Sequence, residues 1–109
     1  MIRGAVLIAV LALVGCDEAT RAADDVGRRS AKVAVNEAIV TRFPAVPKQA
    51  VAPFTDCVID NADALEIREF ARAAVIGVTD ATATLVRTVI ARPETQQCIV
   101  RAGSAALTL

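Results

Sequence analysis

The chain has 109 residues, of which 55% are hydrophobic and 3% aromatic, with no His, Tyr or Trp; its 12 basic and 12 acidic side chains cancel. Such a length holds one domain at most. A neutral chain lacks the field that drives nucleic-acid binding, and one without His has no imidazole base and no His metal ligand. Residues 1–15 hold twelve hydrophobic side chains and a single charge, Arg3. A basic start, a short apolar run and small residues before a break are the pattern of a secretory leader. From Ala5 to Gly15 the run gives about 16 Å of helix, whereas a bilayer core needs roughly 30 Å. The segment is therefore expected to be removed rather than to span.

A first helix is predicted over 17–43, with residues 16–24 as a tether before a domain covering 25–103. Asp24 and Arg28, then Asp25 and Arg29, have the i, i+4 spacing that supports a helix. Val26, Val33 and Val40 recur every seven residues, although Val33 and Val35 also alternate as in a strand. Residues 44–53, with three of the four prolines, read as an extended linker because Pro drives its predecessor out of the helical region. Thr55 is the expected N-cap of a short helix over 56–61. Asp63 and Glu66 have capping-box spacing and open the clearest helix, 63–77. Its inner stripe is Ile67, Phe70, Ala71, Ala74 and Val78, with Glu66 outside it and Gly77 as the stop. Thr79 caps the next helix, 80–92, whose inner face is Thr82, Val86, Val89 and Ile90. Pro93 opens a last helix ending before Gly103, and residues 104–109 form a loose tail. The fold class is all-α: a small bundle of four to five short helices after an N-terminal signal helix.

Leu13-Val14-Gly15-Cys16 resembles the lipobox of bacterial lipoproteins. The resemblance implies cleavage between Gly15 and Cys16 and acylation of Cys16. Two or three acyl chains then anchor the protein where one would bind only marginally. Asp17 resembles the sorting signal that retains such proteins in the inner membrane. Without residues 1–15 the chain carries 11 basic and 12 acidic side chains, and 48 of its 94 residues are hydrophobic, 20 of them Ala. Ala-rich contact faces favour helices over strands.

With Cys16 consumed by lipid, Cys57 and Cys98 remain. An even pair in an exported domain reads as a disulfide. Two free thiols are the alternative. A metal site would need further ligands at spacings this chain lacks, and a redox pair usually sits closer, as CxxC. Asp56, Asp60 and Asp63 gather near one junction, but an EF-hand counted from Asp56 would need Gly at position 61 and Glu at 67, where Asn61 and Ile67 stand. They read as capping and solvated acids. Arg28-Arg29-Ser30 is a solvated helical face, and Thr79, Thr82, Thr84 and Thr88 have no base beside them. Phe43 and Phe54 flank the linker and are expected to close the end of the core, the alternative being that one of them is an exposed contact.

Phe43-Pro44, the stretch Thr55 to Ala62, Arg92-Pro93-Glu94-Thr95 and Cys98-Ile99 are similar to a group of short bacterial envelope lipoproteins. Some of these carry a succinate dehydrogenase label. This chain has no Gly-rich dinucleotide fingerprint, no His for flavin or haem, and too few Cys for iron–sulfur clusters. The expectation is a non-enzymatic, periplasm-facing domain without cofactor or metal, held to the membrane by lipid and binding another envelope protein. The alternative is a carrier of a small apolar ligand between the helices.

Overall fold

The computed structural model describes residues 2–107, with side chains for residue 21 and for 23–103. Five helices follow in order: α1 (Ile2–Arg42), α2 (Lys48–Asn61), α3 (Ala64–Ile76), α4 (Asp80–Ile90) and α5 (Pro93–Leu107). The fold is all-helical, and no strand occurs among the described residues. None of the described helices is long and apolar enough to cross a membrane.

Helix α1 is continuous across the expected tether, and 41 residues make it about 60 Å long. Ala31, Ala34, Val35, Ala38 and Ile39 form its buried face. Three alanines in this face let a neighbour approach closely, and α1 packs most extensively on α3, then on α2. Phe70 of α3, Val58 and Ile59 of α2, and Val86 and Val89 of α4 complete the core. Neither pair expected within α1, Asp24–Arg28 or Asp25–Arg29, forms; the basic side chains that do pair reach other helices. Arg28 reaches Asp60 at 3.1 Å and Lys32 reaches Asp56 at 3.0 Å, both on α2, while Arg42 pairs with Asp80 of α4.

The linker is shorter than the prolines suggest. Pro47, in extended conformation, precedes a helix that already begins at Lys48 and runs through Pro53. Pro53 lacks the N–H that would bond the Gln49 carbonyl. Because Gln49 is exposed, water can satisfy that carbonyl. Thr55 is consequently no cap. It lies buried in mid-helix and donates its hydroxyl to the Val51 carbonyl at 2.8 Å.

Capping of α3 follows the expected form. The Glu66 amide donates to Asp63 Oδ1, and the Asp63 amide donates to Glu66 Oε1, each at 2.9 Å. Gly77 ends the helix at φ 106° and ψ 147°, a region essentially restricted to glycine. Gly77→Ala should therefore cost about 1–3 kcal/mol, read as a lower urea midpoint with unchanged slope. Open space surrounds Gly77, so the loss would come from backbone strain rather than collision.

At the start of α4 the Thr79 amide donates to the Thr82 hydroxyl at 3.1 Å. Thr82, Val86 and Val89 are buried as expected, joined by Ala83, while Ile90 is half-buried. Helix α5 does not stop at Gly103 but continues to Leu107. A glycine stops a helix by taking positive φ, and among the described residues only Gly77 does so. The expected tail over 104–109 is thus helical to 107, and residues 108–109 lie outside the described part.

Candidate functional site

Cys57 and Cys98 form a disulfide with their Cα atoms 5.6 Å apart. Cys57 is buried on α2 and Cys98 half-buried on α5. Helix α5 packs mainly on α2, so the bond fastens it to the helix it rests on. Gly15, Cys16 and Asp17 belong to the backbone course of α1, and their side chains lie outside the described part.

The acids near the α2–α3 junction serve separate purposes. Asp56 and Asp60 pair with Lys32 and Arg28, and Asp63 caps α3. No group of three His, Cys, Asp or Glu among the described residues is disposed to hold a metal ion. Thr84 and Thr88 spend their hydroxyls on the carbonyls of Asp80 and Thr84, at 3.0 Å each.

One charged cluster departs from the sequence expectation, which placed Glu66 outside the inner stripe of α3. Glu66 is buried, and Arg92 grips it with two bonds of 2.7 Å, one to each carboxylate oxygen. The same guanidinium donates to the Asn61 carbonyl at 2.8 Å. Hydrogen bonding from Arg92 outweighs burial and holds the Glu66 carboxyl below its ordinary range. Three of the roughly four lone-pair sites of this carboxylate are occupied, and the cluster locks the α2–α3 junction to the α4–α5 turn. The capping spacing was a visible signal for Glu66. Nothing local linked it to Arg92, 26 residues away.

An open apolar groove of about 610 Å³ lies where the C-terminal end of α1 meets α2, α4 and α5. Phe43, Val46, Phe54, Ile90, Ile99 and Val100 line it. Phe43 and Phe54 do close the end of the core, with one side of each left facing the groove. Arg87 stands over the Phe43 ring, 5.2 Å from its centre. Its charge is thereby engaged by the ring face, and the groove offers chiefly apolar contact. A surface of this kind suits an apolar helix or a small apolar molecule. Comparison with protein-family models, curated proteins and solved structures found no match to this chain.

Proposed function

We propose that the protein is a bacterial envelope lipoprotein. Cleaved before Cys16 and acylated there, it faces the periplasm from the inner membrane and binds an apolar segment of another envelope protein without catalysing a reaction. The observation that carries this reading is Leu13-Val14-Gly15-Cys16 at the end of a short apolar run behind Arg3. Asp17 supports retention in the inner membrane. A disulfide in the domain agrees with an oxidising compartment.

The groove at Phe43 and Phe54 supports the binding role. It lies 27 residues beyond Cys16 along α1, about 40 Å of helix, so anchor and groove do not compete. Its volume, within the range of ordinary ligand sites, also favours a second reading, a carrier of a small apolar molecule.

Cells fed labelled palmitate should label the parent chain, whereas Cys16→Ala should lose the label and accumulate uncut precursor. Unchanged processing would refute the anchor. A photoreactive side chain at Val100, on the groove rim, should give an adduct with an envelope protein in native membranes, and Ile99→Asp should abolish it. An apolar small molecule co-purifying with the domain and lost in Ile99→Asp, with no protein adduct, would favour the carrier instead.

A further inference from the structure

Val26, Val33 and Val40 form one row on α1, directly opposite its buried face, and are 61%, 62% and 59% exposed. The row spans 14 residues, about 21 Å of helix. Its seven-residue repeat drifts only about 20° per step, so the valines stay in line, one every two turns, with Arg29, Ser30, Asn36 and Glu37 between them. Scattered exposed valines need no explanation. Three at a constant interval, with the core supplied entirely by the opposite face, are a different observation.

The charges on this face decide what covers it. Arg29 stands four residues before Val33 and Glu37 four residues after it, close on either side of the row. Both are exposed, and neither joins an ion pair among the described residues. We infer that the outer face of α1 is a self-association surface on which two copies of this chain pair antiparallel about a two-fold axis at Val33.

In that arrangement each residue meets the one equally far beyond Val33 on its partner. Val33 meets Val33, Val26 meets Val40, and Arg29 meets Glu37 twice by symmetry. Parallel pairing would instead stack Arg29 on Arg29 and Glu37 on Glu37, and like charges brought together across a seam are destabilising. The register is thus set by charge and the contact by the valines. A single seam of this length is small beside interfaces of roughly 1,200–2,000 Å² that hold stable complexes, so the association is weak. It does not depend on the proposed anchor. Where Cys16 carries lipid, the two Cys16 positions lie about 50 Å apart along the paired helices, and both reach one membrane with α1 lying along its surface.

Cysteine crosslinking in membranes of cells making the full chain tests the geometry. Under mild oxidation Val33→Cys should give a band of twice the chain mass on a non-reducing gel, above the parent chain. Val26→Cys and Val40→Cys should each give none alone, yet should crosslink when the two variants are co-expressed. Glu37→Arg should lower the Val33→Cys dimer several-fold, and Arg29→Glu in the same chain should restore it. A monomer at Val33→Cys would overturn the proposal. So would dimers from Val26→Cys and Val40→Cys each alone, the result for parallel pairing. Palmitate labelling is read separately on the same material, so failure of the dimer and failure of the anchor remain distinct.

Discussion

Removing the Cys57–Cys98 bond, by reduction or by paired Cys57→Ala and Cys98→Ala substitution, is expected to lower unfolding free energy by about 4 kcal/mol. The bond closes a loop of about 42 residues that contains all of α3 and α4, and constraining a loop of that length in the unfolded chain supplies the estimate. Against a total of about 5–15 kcal/mol for a small domain, this is the largest single loss a covalent change should produce. The fold also says where the loss falls first. Helix α1 keeps its packing on α2 and α3 without the bond, whereas α5 depends mainly on α2. Amide exchange should therefore speed most over residues 94–103, with α1 and α3 least affected. Oxidised and reduced protein with equal urea midpoints would refute the prediction.

What was legible in the sequence was whatever is decided over a few residues. The Asp63–Glu66 box and the Gly77 stop were readable because each involves groups three or four positions apart, or one backbone angle. Prolines and glycines misled where tertiary packing overrode local preference. Val51, Cys57, Val58 and Ile59 bury one face of α2, and that burial sustains a helix through Pro53. Gly103 does not stop α5, because a glycine ends a helix only when it takes positive φ, which composition alone does not reveal. The heptad valines of α1 were visible as a period, but a period does not say which face is buried. The core used the opposite face, where Ala31, Ala34 and Ala38 stand with Val35 and Ile39. The groove was half legible. Phe43 and Phe54 announced themselves as the rare aromatics, while Ile99 and Val100 join them only through the course of α5. Lipobox residues stand apart from all of this, since their reading rests on recognition of a motif by processing enzymes rather than on the fold.

Arg92→Ala should destabilise the domain more than Glu66→Gln, although each breaks the same pair. Glu66 has a side chain only 11% exposed, against 33% for Arg92. Without Arg92 a shielded carboxylate loses its counter-charge and the Asn61 carbonyl loses its donor, and uncompensated burial of a charge is costly. Glu66→Gln removes the charge instead. It keeps an oxygen for the Asp63 amide and leaves Arg92 the Asn61 carbonyl and partial access to water. Thermal melts should accordingly show a drop of several degrees for Arg92→Ala and a smaller one for Glu66→Gln. The pH dependence separates electrostatics from packing. Arg92 holds the folded-state pKa of Glu66 below its ordinary value of 4.5. A depressed acid contributes stability that is fully present above its unfolded pKa and lost as pH falls through the folded one. The parent domain should therefore lose this contribution as pH drops below about 4.5, and both variants should show a shallower acid-side slope. If Arg92→Ala and the parent gave parallel stability curves from pH 7 down to pH 3, the pair would be a packing contact alone. A slope that flattens in both variants identifies it as the electrostatic lock between the α2–α3 junction and the start of α5, the helix that carries Cys98 and one wall of the groove.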